Sequence, residues 1–464
     1  MVFLLPFFSS FQSLMIQGGY FMQNKQDFMK TKPVFPLLLS MAAPMVLSML
    51  IQSLYNIVDS IFVARLGTEA LTAVSLVYPL QNIVLSLSVG VGVGINSVIA
   101  RKLGEQKPEE ANKAASIGMG LTFIHCILII IFGLLVTKPF LSIFTSDPQT
   151  LAWACRYSYI VLCFSAGSLI HICFEKIFQS VGAMLLTMIS LLVGCITNII
   201  LDPILIFGLF GLPAMGVTGA AVATVTGQFC SLLVYLIIYG RKDIGIKISP
   251  KYFSFDKSTI LQIYSVGIPS SLMLAAPSLM SGILNFMLAG FSDIYVAILG
   301  IYLKLQTFLY TPASGIVQAL RPIAGYNYGA GEKERLHKII RCSMLLVVAI
   351  MTAGTLAALV FPQQIFAVFI DDPALIGPGS TALRIISLGF IVSTVSVVYA
   401  GLFEALGCGK KSLLISLIRQ IVIIIPLGFI LSRIWGPVGI WVCFPIAEFL
   451  AAGMARGMVK KQNL

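Results

Sequence analysis

Phe178-Gln-Ser-Val-Gly182 and Phe403-Glu-Ala-Leu-Gly407 are two copies of one short pattern that lie 225 residues apart. Three more pairs share this separation: Pro44 with Pro269, Gly104 with Gly329, and Phe144-Thr-Ser-Asp147-Pro148 with Phe369-Ile-Asp-Asp372-Pro373. One offset that holds over so long a stretch is the mark of an internal repeat. The chain is therefore predicted to consist of two related halves.

The composition of the chain is typical of a membrane protein. Of its 464 residues, 58% are hydrophobic and only 10% are charged, with a mean hydropathy of +0.97. Soluble domains carry about a quarter charged residues, so this composition excludes a disordered chain, a nucleic-acid-binding domain and an ordinary cytosolic enzyme. The formal charge of +12 suits the anionic inner surface of a membrane. We expect a lipid bilayer as partner and no nucleic acid.

Apolar segments long enough to cross a bilayer, roughly 20 residues each, number about twelve. An all-α polytopic membrane protein is predicted, with six spans in each half. Because six spans return the chain to its starting side, the halves are parallel repeats related by a pseudo-twofold axis along the membrane normal. The predicted parts are an N-terminal segment (1–35), an N-lobe (36–240), a linker (241–257), a C-lobe (258–457) and a tail (458–464).

The basic residues predict which way the chain crosses the membrane. If the N-terminus is cytoplasmic, nearly all lysines and arginines in loops fall inside, and only Arg65, Lys138 and Arg433 fall outside. Because cytoplasmic loops are enriched in these residues, we place both termini in the cytoplasm and the spans in the inner (cytoplasmic) membrane. For residues 1–35, a start codon misassigned upstream of Met22 or Met29 and an interfacial helix both stay open.

An aspartate is predicted inside the first span, where an ionisable side chain marks a functional site by default. Asp59 ends the run Gln52-Ser-Leu-Tyr55-Asn56-Ile-Val-Asp59. Helical spacing places the polar residues Gln52, Tyr55 and Asn56 on roughly the same helix face as Asp59. We expect these three side chains to support Asp59.

A second aspartate, Asp202, lies in the fifth predicted span, four residues after Asn198 and on the same side of the helix. With the Asp59 face it predicts an oxygen-rich pocket that holds Na⁺, a hard cation, or a carboxyl group that carries a proton. The alternative is that Asp59 and Asp202 cap helix ends at the outer surface. Pro203, directly after Asp202, is itself a helix-end signal.

Two further charged residues inside spans are candidates for a central cavity between the halves. Lys304 lies in span eight, where it either pairs with an acid or extends toward the membrane surface. Glu448 lies in the middle of span twelve and repeats Gln228 of the first half at an offset of 220. We expect these two residues to contribute charge to the cavity, with packing inside the bundle as the alternative.

The sequence carries no motif of an enzyme. Neither His-Glu-x-x-His nor Gly-x-Ser-x-Gly occurs, and Gly407-Cys-Gly-Lys410-Lys411 lacks the spacing of a phosphate-binding loop. Nine scattered cysteines and only three histidines argue against a disulfide framework and a metal centre. We therefore expect no catalysis and no cofactor apart from a bound Na⁺, with work driven by an ion gradient.

These motifs together resemble the multidrug and toxic compound extrusion (MATE) transporters over residues 36–457. The matching elements are Pro44, the run 52–59 with Leu66-Gly67, Asn198-Ile-Ile-Leu-Asp202-Pro203, and Gly219-Ala-Ala-Val-Ala-Thr224. The resemblance implies two six-helix lobes arranged in a V. It also implies export of small organic cations and amphipathic drugs in exchange for Na⁺ or H⁺. We expect the protein to be a monomer.

The resemblance also implies roles for individual residues. The proline at which the first helix of the family bends corresponds to Pro44. NorM-like members carry an acidic residue in the seventh helix, and 258–290 contains none, so the chain looks closer to the DinF-like pattern. Whether Na⁺ or H⁺ is the coupling ion stays open. The N-lobe cation site of the family falls on Asp59, Asn198, Asp202 and Thr224.

Three other functions stay open beside cation-coupled drug export. The first is a flippase for a lipid-linked saccharide or a related lipid, although such proteins often have more spans and a more cationic cavity. The second is a membrane enzyme, for which no catalytic constellation occurs. The third is a duplicated membrane anchor without transport, which leaves the charges inside the spans unexplained.

Overall fold

A computed structural model describes residues 27–369 and 372–462, and every regular element in these ranges is helical. Residues 1–26 of the predicted N-terminal segment lie outside the described ranges. The helices of the first half are α1 (Phe28–Thr31), α2 (Val34–Ala64), α3 (Thr68–Gly104), α4 (Pro108–Phe144), α5 (Pro148–Cys163), α6 (Ala166–Ser180), α7 (Met184–Phe207) and α8 (Val217–Arg241).

The second half repeats this order after the linker. Its helices are α9 (Lys257–Ala289), α10 (Asp293–Gly329), α11 (Lys333–Val360), α12 (Pro362–Ala367), α13 (Pro373–Ser387), α14 (Phe390–Ala405), α15 (Gly409–Leu417), α16 (Ile424–Trp435) and α17 (Pro437–Lys460). A short π-helix, Ile418–Val422, joins α15 to α16. We refer to α2–α8 as the N-lobe and to α9–α17 as the C-lobe.

Ten helices of the described chain are each long and apolar enough to cross a membrane, with α15 and α16 counted as one. Two bent pairs bring the number of candidate spans to twelve: α5 with α6 at 45°, and α13 with α14 at 52°. The two bends fall at closely equivalent positions of the halves, next to Ser165 and Gly389. The prediction of an all-α protein with about twelve spans is confirmed.

The loops collect on two opposite ends of the bundle. One end, here called the terminal face, holds α1, the linker and the loops that precede α4, α11 and α15. Contacts hold these parts together: Lys113 pairs with Asp256 of the linker at 3.0 Å, and Lys30 pairs with Glu332 at 2.9 Å. The other end, here called the opposite face, holds the loops between α2 and α3, α7 and α8, and α9 and α10.

Glycines allow the two lobes to touch near the terminal face. A Cβ atom added to Gly104 of α3 would lie 2.0 Å from the carbonyl oxygen of Tyr326, and one added to Gly329 of α10 would lie 2.2 Å from that of Arg101. Only glycine permits so close an approach of two backbones. Gly104 and Gly329 are one of the repeated pairs, so the duplication places a glycine on each side of the same contact.

Helix α2 is shared between the lobes. Leu37, Leu38, Met41 and Met45 belong to the apolar core of the C-lobe, whereas Val63 belongs to a core of the N-lobe. Pro44 lies within the first of these parts, and the helix runs through it without interruption. The predicted bend at Pro44 therefore stays a prediction.

Candidate functional site

A cavity of about 1510 Å³ lies between the two lobes. At its terminal end the lobes are joined, because the Ser97 hydroxyl of α3 donates to the carbonyl oxygen of Glu404 in α14 at 2.6 Å. Toward the opposite face its lining reaches Ala64 and Leu71, on either side of the loop between α2 and α3. The cavity is thus closed at the terminal face and extends toward the opposite one.

Two acidic side chains meet on the N-lobe side of this cavity. The carboxyl groups of Asp59 and Asp202 interact directly with each other. Asp59 lines the cavity, whereas Asp202 lies behind it and is 0% exposed. Oxygen Oδ1 of Asp59 is buried and has no hydrogen-bond partner among the described residues. Helix α2 continues past Asp59 and α7 continues past Asp202 to Phe207, so neither aspartate caps a helix end.

Asn198 and Thr224 complete the predicted N-lobe site around Asp202. The oxygen and nitrogen of an amide are distinguished by their hydrogen bonds, and one orientation of Asn198 satisfies both atoms. In it, Nδ2 donates to Oδ2 of Asp202 at 2.8 Å, and Oδ1 accepts from the backbone N–H of Thr224 at 3.1 Å. The structure therefore brings Asp59, Asn198, Asp202 and Thr224 into one cluster.

The polar face of α2 points into the cavity. Gln52, Tyr55 and Asn56 all line it, together with Asp59. Tyr55 also lies close to Asp202, which links the predicted supporting residues to the acid pair. The side of α2 that faces the cavity is thus polar over two helical turns.

Sequence reasoning missed two residues of this cluster, Tyr157 and Gln81. The Tyr157 side chain of α5 is 3% exposed and interacts with the side chains of Gln81 and Thr224. Gln81 carried a usable signal, because an amide inside a predicted span is costly unless it has partners. Tyr157 carried none, since tyrosine is common near both ends of membrane helices.

On the C-lobe side, the two predicted charged residues have different environments. Lys304 of α10 lines the cavity and is exposed there. Glu448 of α17 does not line the cavity but is buried behind it, where its Oε1 lies 2.7 Å from Nε of Arg419 and its Oε2 accepts from Ser396. The expectation that Glu448 contributes charge to the cavity therefore needs correction, because Arg419 stands between them and neutralises that charge.

Arg419 itself was not singled out from the sequence. It lies in the π-helix Ile418–Val422 and lines the cavity. Its guanidinium carbon lies 5.2 Å from the centre of the Tyr310 ring, a cation–π contact, and Tyr310 in turn donates to Ser393. Such π-helical turns are frequent at functional sites. A π-helix is recognised from its backbone hydrogen bonds, so the sequence alone did not point to this segment.

Ion pairs also occupy the terminal end of the cavity. Glu404 accepts from Arg321 at 2.7 Å and from the hydroxyl of Ser270. On the N-lobe side, Nζ of Lys176 lies 2.7 Å from Glu175 and donates to Gln179 at 3.1 Å. The acids near the terminal ends of these spans are therefore paired with bases.

No group of three or more histidine, cysteine or acidic side chains lies close enough to hold a metal ion within the described residues. The acid-pair cluster instead offers carboxylate, amide, hydroxyl and phenol oxygens. Such oxygens are hard donors, and the unpartnered Oδ1 of Asp59 is a free acceptor among them. The chemistry of the cluster therefore suits a proton or a small hard cation.

These features define a multi-pass helical membrane protein whose two repeated lobes enclose a polar cavity beside a buried acid pair. A family model described as MatE matches residues 44–204 and 269–430, one stretch in each lobe. The chain belongs to this family. The resemblance to MATE transporters is thereby confirmed, while the closer likeness to the DinF-like pattern stays a prediction.

The chain is similar over nearly its whole length to proteins named as exporters. Multidrug export protein MepA of Staphylococcus saprophyticus is 25% identical over 426 residues, which cover 92% of this chain and 93% of that protein. MepA of Staphylococcus aureus strain MRSA252 is 24% identical with the same coverage. Both names describe transport proteins and not enzymes.

Solved structures share the fold. One, described as the outward-facing conformation of a multidrug resistance MATE family transporter of the MOP superfamily, matches with a TM-score of 0.88 at 24% identity. The match covers 95% of this chain and 99% of the chain in that structure. Another, described as MATE in the bent conformation, matches with a TM-score of 0.89 at 24% identity, covering 95% and 98%. A two-lobed MATE architecture is therefore shared.

Proposed function

We propose that the protein exports organic cations and amphipathic drugs across the cytoplasmic membrane in exchange for H⁺ or Na⁺, by alternating access. The observation that carries this proposal is the contact between the carboxyl groups of Asp59 and Asp202 beside the cavity. Neither acid has an ion pair with a basic residue in the described chain. The relatives named as multidrug exporters support the same function.

The acid pair supplies a physical reason for ion coupling. Two carboxylates in contact and away from water repel each other strongly, so the pair needs a proton or a cation to neutralise it. Asn198 donates a hydrogen bond to Asp202, and Tyr157 places a phenol oxygen near the pair. In this proposal the coupling ion binds between Asp59 and Asp202 and changes the charge that the N-lobe presents to the cavity.

Exchange of drug against ion follows if the binding of both depends on the negative charge of Asp59. An organic cation in the cavity is attracted to ionised Asp59, and a bound ion removes that attraction. Binding of the ion from one side therefore favours release of the drug on that side. With both termini in the cytoplasm, as the positive-inside rule predicts, the cavity extends toward the outer surface. In this outward-open conformation a drug would leave the cavity to the outside and an ion would enter it from the outside.

The test is ion-driven efflux from proteoliposomes loaded with ethidium, under an imposed Na⁺ or H⁺ gradient. We expect the unaltered protein to expel the dye with one of the two gradients, and Asp59→Asn and Asp202→Asn each to abolish the driven component. Asp293→Asn is the matched control, because Asp293 is an exposed acid at the start of α10. The gradient that works identifies the coupling ion.

Two results would contradict the proposal at different levels. If neither gradient drives efflux from the unaltered protein, cation-coupled antiport is wrong. If efflux is driven but Asp59→Asn and Asp202→Asn both transport normally, antiport stands and the assignment of the ion site is wrong. The thermal unfolding midpoint of each purified variant separates lost coupling from a misfolded protein.

A further inference from the structure

The basic residues that line the cavity are nearly all neutralised by a neighbouring acid. Each pair has a nitrogen–oxygen separation of 2.7 Å: Lys176 with Glu175, Arg321 with Glu404, and Arg419 with Glu448. Ion pairs with such short separations offset most of the charge on each partner. They leave little net charge at the terminal end of the cavity and on the wall near α17.

Two charged groups at the cavity wall have no partner of opposite sign. One is Asp59 with its neighbour Asp202 on the N-lobe. The other is Lys304 on the C-lobe, which lines the cavity and is exposed in it. Among the residues that the structure describes, no side chain forms an ion pair, a hydrogen bond or a ring contact with the Lys304 ammonium. Once the pairs are accounted for, the two walls of the cavity thus carry opposite charge.

The position of Lys304 on α10 connects it to the rest of the cavity. Tyr310, Ser314 and Gln318 lie on later turns of the same helix and also line the cavity. The side of α10 that faces the cavity therefore begins with an ammonium group, toward the opposite face, and continues with polar groups and one aromatic ring. An ammonium offers three N–H donors on a flexible stem, and its strongest partner in a ligand is an anionic oxygen.

We propose that Lys304 binds the carboxylate of zwitterionic amphiphiles, so that the cavity accepts molecules with both a cationic and an anionic group. The cationic group faces the wall that carries Asp59, the carboxylate faces Lys304, and the apolar body fills the space between. This inference rests on the proposed function, because it names a substrate class for the same cavity. It assigns Lys304 the role of a specificity-determining residue.

A matched pair of dyes tests the proposal. Rhodamine B carries a delocalised cation and a carboxylate, and its ethyl ester keeps the cation but lacks the negative charge. Binding of each dye to the purified full-length protein is measured by fluorescence polarisation, without an ion gradient. We expect Lys304→Gln to weaken binding of rhodamine B roughly tenfold, as the loss of a charged hydrogen bond does, and to leave the ester unchanged or more tightly bound.

Two further variants make the result specific. Lys304→Arg keeps the positive charge and should restore binding of rhodamine B to near its original affinity. Lys138→Gln removes an exposed lysine of α4 that does not line the cavity, and it should leave both affinities unchanged. The proposal is overturned if Lys304→Gln weakens both dyes equally, if it weakens neither, or if the unaltered protein does not bind rhodamine B.

The failure of this inference can be told apart from a failure of the proposed function. Dye selectivity is an equilibrium measurement and needs no coupling ion. If both dyes are expelled by an ion gradient while Lys304→Gln leaves their affinity ratio unchanged, only the role of Lys304 is wrong. If no gradient drives efflux but the affinity ratio changes as expected, ion coupling is wrong and the role of Lys304 stands.

Discussion

The guanidinium of Arg321 and the carboxylate of Glu404 form an ion pair of 2.7 Å where the cavity ends toward the terminal face. Glu404 is 2% exposed, and its backbone carbonyl accepts the hydroxyl of Ser97 from the other lobe. At an offset of 225, the counterparts of Arg321 and Glu404 in the first half are Asn96 and Gln179. The repeat thus keeps polar residues at these positions, but only the second half carries charge.

Glu404→Ala should destabilise the protein more than removal of both charges. The single substitution leaves the Arg321 guanidinium without its partner in a largely buried site, which costs about 2 kcal/mol after allowance for water in the cavity. The double variant Arg321→Met with Glu404→Met replaces the pair by apolar side chains and should cost less. The free energy of unfolding, measured by denaturant titration in detergent, checks this. Equal losses in the two variants would show that the pair has no such role.

Asn198→Ala should change the affinity for the coupling ion without changing the fold. Asn198 donates to the buried Asp202 carboxylate at 2.8 Å, and a hydrogen bond to a charged group contributes about 1.5–3 kcal/mol. We expect the ion concentration that gives half-maximal efflux to change roughly tenfold or more. Thr197→Ala is the control, because the Thr197 hydroxyl donates only to the carbonyl of Val193. An unchanged half-maximal concentration in Asn198→Ala would remove Asn198 from the ion site.

Gly104→Ala should separate the lobes at the terminal face. The added Cβ would lie 2.0 Å from the carbonyl oxygen of Tyr326, and neither backbone can absorb such a clash without moving. Labels at positions 107 and 333, one on each lobe, allow the separation to be measured by pulsed electron paramagnetic resonance. Gly240→Ala is the control, since nothing lies within 4 Å of its added Cβ. Identical distance distributions for both variants would contradict a close contact of the lobes at Gly104.

Arg335→Gln should loosen helix α1 from the C-lobe. The Arg335 guanidinium donates to the carbonyl oxygens of Met29 and Lys32, and a glutamine cannot make all of these bonds. We expect faster amide hydrogen exchange across Phe28–Thr31, with α2 unaffected. The matched control is Lys338→Gln, an exposed position on the same helix. Exchange at α1 that is as slow as in the unaltered protein would show that the Arg335 hydrogen bonds are not needed to hold this helix.

The fold could be predicted because its determinants are repetitive and local. Hydropathy over windows of about 20 residues locates membrane spans without knowledge of the tertiary structure. The 225-residue offset then fixed the number of spans in each half from a few residues, such as Pro44 and Pro269. One local signal was misleading: Pro203 suggested a helix end, yet α7 continues to Phe207. Within a bundle, neighbouring groups can satisfy the carbonyl that a proline leaves free.

The candidate site was predictable only where its residues share a helix. Helical spacing placed Gln52, Tyr55 and Asn56 with Asp59, and Asn198 with Asp202. Contacts between distant helices leave no such spacing, so the position of Tyr157 and the burial of Glu448 behind Arg419 were not accessible. For the same reason the sequence left two environments open for Lys304, an ion pair with an acid or extension toward the membrane surface. It could not show that the Lys304 ammonium lines the cavity without a partner among the described residues.

Helix α2 packs against both the N-lobe and the C-lobe. The proposed alternating access requires these lobes to move relative to each other. Its first turns pack in the C-lobe core through Leu37 and Met41, and its last turns carry Asp59 to the N-lobe acid pair. Any relative movement of the lobes must therefore twist or bend helix α2. Pro44 lies within the part of α2 that packs in the C-lobe, directly before Met45, and the backbone hydrogen bond missing there lowers the bending stiffness of the helix at that point. The proposed ion site at the acid pair and the shape of the first span are thus mechanically linked through one continuous helix.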